Sequence, residues 1–148
     1  MRIVFATGEA NPYIKSGGLA DVLGSLPKAL AQKGHECIVV LPKYQDIKLA
    51  DTLEYVTNYD IWVGWRKCYC GVFKAQYDGV TYYFIDNEQY FRRPGLYGYD
   101  DDNERYAFFC RAVLNMLPHI DFIPDIIHCN DWQTGPICLL LKDHYKKN

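Results

Sequence analysis

Arg2-Ile3-Val4-Phe5-Ala6-Thr7 is an apolar, β-rich run, and Gly8 to Gly18 follows it with loop signals at Asn11-Pro12 and Gly17-Gly18. From Leu19 to Lys33 the residues Leu19, Val22, Leu23, Leu26, Ala29 and Leu30 recur at helical spacing, Gly34 supplies a C-terminal stop, and Glu36 to Leu41 is a second apolar run ended by Pro42. Strand, helix and strand in this order make a βαβ unit. Its right-handed crossover implies parallel pairing and a sheet covered on both faces. The predicted class is therefore α/β, a Rossmann-like three-layer domain with a mainly parallel sheet. Pro27 falls inside the predicted helix, where it removes one hydrogen bond or kinks the axis.

Leu53 to Asp86 alternates in the β manner, and Asp78-Gly79 between Val72–Tyr77 and Val80–Ile85 is a two-residue hairpin signal, so a β-hairpin insert is expected. Glu88 to Asp102, rich in Tyr, Gly, Pro and charge, reads as a long loop of the kind that lines sites. Asn103 to Leu117 has helical spacing, Ile126-Ile127-His128-Cys129 reads as a short buried strand, and Thr134-Gly135-Pro136 opens a last helix with Thr134 as N-cap. The 148 residues fit one domain.

Composition narrows the function. A net charge of −2 gives no basic face for nucleic acid. No signal-peptide core or membrane-length apolar stretch is present, which points to the cytoplasm. The six Cys lack C-x-x-C or Cys/His spacing, so no metal is expected and the thiols read as reduced and buried. His35, His119 and His144 read as structural or exposed.

Two strand ends stand out as chemistry. In Lys15-Ser16-Gly17-Gly18, paired glycines let the backbone approach a ligand, the helix start offers free N–H groups, and Lys15 adds a mobile charge. A phosphate or diphosphate suits that spot, although a purely structural tight turn explains the glycines equally well. Neither the dinucleotide G-x-G-x-x-G nor the Walker pattern is present here. The second is His128-Cys129-Asn130-Asp131-Trp132, at the carboxyl end of a strand, where open α/β sheets bind ligands.

The run Gly8 to Val22, with its core Lys15-Ser16-Gly17-Gly18-Leu19-Ala20-Asp21-Val22, resembles the amino-terminal signature of bacterial glycogen synthases and plant starch synthases. Gly34-His35-Glu36, Pro42-Lys43-Tyr44, Tyr83 to Asn87, Arg93 to Gly98 and Pro124 to His128 leading into Asp131-Trp132 agree with it. The resemblance implies the amino-terminal half of a GT-B type glycosyltransferase that transfers glucose from ADP-glucose to the non-reducing end of an α-1,4-glucan, such as glycogen or a maltooligosaccharide primer, with retention. It needs no cofactor.

By the same resemblance, Lys15, Gly17 and Gly18 face the donor diphosphate and glucose, and His128 faces the donor glucose as the catalytic-site residue. Asp21 and Asp131 share those motifs, with loop-orienting and capping roles preferred for them; Tyr97 and Asp102 are weaker candidates for glucan contact. The family's remaining donor contacts belong to a carboxyl-terminal domain absent from this sequence, so the segment alone is expected to be inactive. Ser16 stands where the family often has Thr, and Lys43 where it often has Arg. Two other readings stay open: a related glycosyltransferase using a UDP-sugar, and a non-catalytic glucan- or nucleotide-binding module.

Overall fold

The computed structural model describes residues 1–145, the side chains of 144 and 145 excepted. Its centre is one six-stranded sheet. The strands are β1 (Arg2–Ala6), β2 (Glu36–Pro42), β3 (Glu54–Val63), β4 (Arg66–Tyr77), β5 (Val80–Asp86) and β6 (Ile126–Cys129), in spatial order β3-β4-β5-β2-β1-β6. β1 pairs in parallel with β2 and β6, and β2 with β5, whereas β4 is antiparallel to both β3 and β5. Only β4 runs against the rest, so the sheet is mainly parallel.

The helices are α1 (Gly18–Gln32), α2 (Glu88–Phe91), α3 (Asp102–His119) and α4 (Pro136–Leu140). Strand alternation tells which face each covers. Tyr13, from the loop before α1, packs its ring on Tyr82 and Phe84 of β5. Ile85, one residue on, points to the other face together with its partner Val72, and two residues further Cys70 lies opposite Tyr59. The Tyr59 hydroxyl donates to the Ala112 carbonyl of α3 at 3.0 Å. Hence the loop before α1 and α3 lie on opposite faces, which is the expected three-layer arrangement. The interior contains Val4, Val39, Val40, Leu41, Phe84, Phe108, Phe109 and Met116, each without exposure.

Several local expectations hold. α1 passes through the buried Pro27 and ends on Gly34, whose φ of 95° allows its N–H to reach Ala31 O and lets the His35 N–H reach Leu30 O. Asp78 and Gly79 both take positive φ, 51° and 78°, as a tight hairpin between right-twisted strands requires. That hairpin is no separate insert, because β5 is itself an inner strand beside β2.

Other expectations fail, each for a local reason. Residues 88–91 form a helical turn because the Asn87 side chain caps the Tyr90 N–H; the irregular segment is shorter, from Arg92 to Asp101. α3 continues through Pro118 to His119, since a proline in the last turn forfeits only one bond. β6 is not buried. Among the described residues it lies at the sheet edge with Ile126 41% exposed, because only β1 pairs with it there. Thr134 does not cap α4: its hydroxyl donates back to Asn130 O, and Gly135 occupies the cap position with Pro136 behind it. Cys37, Cys68, Cys70 and Cys110 are buried, but Cys129 is only half-buried and Cys138 is exposed, so the reading of every thiol as buried fails at these two. Among the other histidines, His119 stacks on Tyr59 with centroids 4.2 Å apart, and His35 meets the amino terminus; the His144 side chain lies outside the described residues. Among the described residues, no helix is long and apolar enough to cross a membrane.

Candidate functional site

The carboxyl ends of β1, β2 and β6 lie side by side, and the candidate residues other than Asp102 lie on or beside the loops that leave them. The chain leaves β1 at Ala6 and runs through Thr7 to Ser16 before entering α1. Gly17 takes the N-cap position in extended conformation, and no side chain fills that cap. The first N–H groups of α1 therefore keep their donor capacity and the positive end of the helix dipole. A Cβ placed on Gly17 or Gly18 would meet nothing within 4 Å, so open space lies against both backbones. A ligand can approach there closely.

Gly8 is a glycine for the opposite reason. A Cβ there would lie 2.8 Å from the Tyr97 hydroxyl and 2.9 Å from Gln133 Cγ. Lys15 is engaged: its ammonium donates to both oxygens of Asp21, in the first turn of α1, and Asn11 Nδ2 donates to the same carboxylate at 2.6 Å. The Lys15 hydrogen bond holds the Asp21 carboxyl below its ordinary value.

His128 lies on β6 in register with Phe5 of β1, and the two rings meet at 5.1 Å between centroids. Phe5 pairs with Val39, and two residues along β2 Leu41 pairs with Phe84, the residue under Tyr13. His128 thus projects from the same sheet face that carries the loop of Lys15, and its side is exposed to solvent. The end of β6 is fixed to that of β1 by Asn130, whose buried amide donates to Ala6 O and His128 O at 3.1 Å each. Asp131 follows with a positive φ of 66° and accepts the Trp132 N–H, a capping task. Trp132 remains half exposed and lies edge-on to Tyr97 and Tyr106.

Tyr97 reaches this region from the segment Arg92–Asp101, whereas the structure does not bring Asp102, at the start of α3, into contact with it. The Tyr97 hydroxyl donates to Glu9 at 2.9 Å; burial and the Glu9 charge push its pKa well up, so it stays protonated. Asp102 serves the segment itself, accepting the N–H groups of Gly98 and Tyr99 and the Arg105 guanidinium. Arg105 is without exposure, and it also donates to the carbonyls of Tyr90 and Leu96.

Sequence reasoning missed Glu9. Lying inside the Gly8 to Val22 run, it is 3% exposed and accepts four hydrogen bonds, from the N–H and hydroxyl of Ser16, the Gly17 N–H and Tyr97. Burial alone would raise its carboxyl, but these donors outweigh it and hold the pKa below the ordinary 4.5. A glutamate placed between an apolar strand and a glycine turn was the available signal. Two open cavities, of about 530 and 390 Å³, lie further along the same edge where β5 ends, and both are lined by Asp86 and Glu88. Burial raises the Asp86 carboxyl. Among the described residues, no three of His, Cys, Asp or Glu gather at metal-binding geometry.

A family model described as the starch synthase catalytic domain matches residues 2–148. The glycogen synthase of Clostridium perfringens is 56% identical over 150 aligned residues, and that of Desulforamulus reducens 53%, each alignment spanning the whole of this chain and 31% of the relative. The catalytic domain of starch synthase IV from Arabidopsis thaliana, solved bound to ADP and acarbose, superposes with a TM-score of 0.90 at 33% identity over 99% of this chain and 31% of that one. The chain thus spans about a third of the length of the proteins it matches. With a match over nearly every residue and a superposable fold, the chain belongs to the starch synthase catalytic domain family.

Proposed function

We propose that this chain is the donor-facing amino-terminal part of a glycogen or starch synthase of the GT-B type, which transfers glucose from ADP-glucose to the non-reducing end of an α-1,4-glucan with retention. The observation that carries the reading is the union of family membership with an open Gly17-Gly18 backbone and an exposed His128 on one sheet face. Departure of a diphosphate leaves an oxocarbenium-like sugar, so negative charge grows on the leaving oxygens while positive charge grows at the anomeric carbon. Free N–H groups of α1 and the Lys15 ammonium suit the first, because fixed donors aimed at developing charge supply a large catalytic term. His128 holds the sugar for departure.

In this scheme Asp21 aims Lys15, Asp131 sets the turn after β6, and Tyr97 with Asp102 shapes the glucan side. A second domain, in the two thirds that the relatives have beyond this segment, supplies the remaining diphosphate contacts, and the enzyme works in the cytoplasm. The test is incorporation of labelled glucose from ADP-glucose into maltoheptaose. Full-length protein carrying this segment is expected to be active, and residues 1–148 alone inactive. Turnover by the segment alone, or its absence from the full-length protein, would overturn the reading.

A further inference from the structure

A carboxylate removed from water is costly unless its lone pairs are filled. Those of Glu9 are filled from two distant segments. One oxygen takes the backbone N–H groups of Ser16 at 2.8 Å and Gly17 at 3.1 Å, at the mouth of α1. The other takes the Ser16 hydroxyl at 2.6 Å and the Tyr97 hydroxyl at 2.9 Å, and Tyr97 is 88 residues away in the chain. The seam is tight elsewhere too: Tyr44 donates to Gly8 O at 2.7 Å and shares a hydrogen bond with Tyr106, whose ring adjoins Tyr97.

We infer that Glu9 is a positioning residue that clamps the Tyr97 segment to the glycine loop, so that the donor side and the glucan side of the cleft wall are set by one carboxylate. This deepens the proposed function and rests on it. Glu9 spends its oxygens on protein donors and acts through Ser16, Gly17 and Tyr97. The amide of a Gln has the same length. Its oxygen can keep both N–H groups while its NH₂ donates to the two hydroxyls, each of which also accepts. Charge is then removed and the clamp kept, whereas Ala removes both.

Steady-state kinetics of the full-length protein, with melting temperatures alongside, separate the possibilities. Glu9→Ala is expected to raise KM for ADP-glucose about tenfold, the loss of a buried charge-assisted hydrogen-bond set. Glu9→Gln should return KM to within about threefold of wild type, because its hydrogen bonds are re-formed without the charge. Tyr97→Phe should raise the same KM and add little in the Glu9→Ala background, as coupled neighbours do. A donor KM unchanged in Glu9→Ala, a Glu9→Gln as impaired as Glu9→Ala, or additive effects of Glu9 and Tyr97 would each overturn the clamp. If Glu9→Ala does not accumulate folded, an unchanged donor KM in Tyr97→Phe overturns it instead. Wild-type protein that transfers no glucose from ADP-glucose shows itself before any variant is read; it sinks the proposed function and this inference with it.

Discussion

The Lys15 ammonium rests on both carboxylate oxygens of Asp21, at 2.9 and 2.8 Å, across the mouth of α1. Both side chains are about half exposed, 50% and 54%, so the pair is solvated and contributes little to folding. Its value is in direction. A four-carbon stem left free would sample many rotamers, and the pair holds the charge beside the open glycines before a ligand arrives.

Replacement at the two positions should therefore differ. Lys15→Ala is expected to weaken ADP binding to the full-length protein about tenfold, the loss of one charge-assisted contact. Asp21→Asn, which still offers an acceptor to Lys15, should change it by less than about threefold, because the aiming contact survives without its charge. Calorimetric titration reads both, and melting temperatures should stay at the wild-type value. Equal losses from the two substitutions would make Asp21 a ligand contact.

His128 makes a different prediction. Its ring is exposed in this segment, against a Phe5 held by strand pairing on both sides, so truncation should spare the fold. His128→Ala is expected to lower kcat on the order of 100-fold, as removal of a donor that positions the transition state does, with a smaller change in donor KM. A rise in KM at constant kcat would assign the ring to ground-state binding.

The sequence disclosed these positions unequally, and the differences have physical causes. β1, α1 and β2 were legible because their periods are unambiguous and Gly34 marks the stop. Asp78-Gly79 was legible because few other pairs accept two positive φ values. The apolar residues of β6 predict burial, yet burial depends on neighbours, and among the described residues this strand has one. At the candidate site, residue type and place single out Gly17, Gly18 and His128 for the proposed role. They do not single out Glu9, because its role depends on Tyr97, and a contact between residues so distant in the chain leaves no local pattern. Asp102 likewise offered a carboxylate in a loop, while its oxygens are engaged by Gly98, Tyr99 and Arg105.

Arg105 bears the strongest prediction for the architecture beneath the site. Its guanidinium is wholly buried, donating to Tyr90 O at 2.7 Å, Leu96 O at 3.0 Å and Asp102 at 2.7 Å, and it lies over the rings of Tyr99, Phe91 and Tyr106. One arginine thus fastens α2, the Tyr97 segment and α3 together. Arg105→Ala would leave Asp102 without its buried partner and the Tyr90 carbonyl without this donor, with Leu96 O kept only by the Tyr106 hydroxyl at 3.2 Å. Removal of one member of a buried pair costs about 3–5 kcal/mol, a large share of a domain's net stability. Arg105→Lys keeps the charge but cannot fork to three acceptors, so it should recover only part of the loss. Urea denaturation should show the order wild type, Lys, Ala in midpoint, and proteolysis should cleave the 92–101 segment first in the Ala variant. A midpoint unchanged in Arg105→Ala would mean that the aromatic packing alone holds the segment, and Arg105 would then be an occupant of the core that fastens nothing.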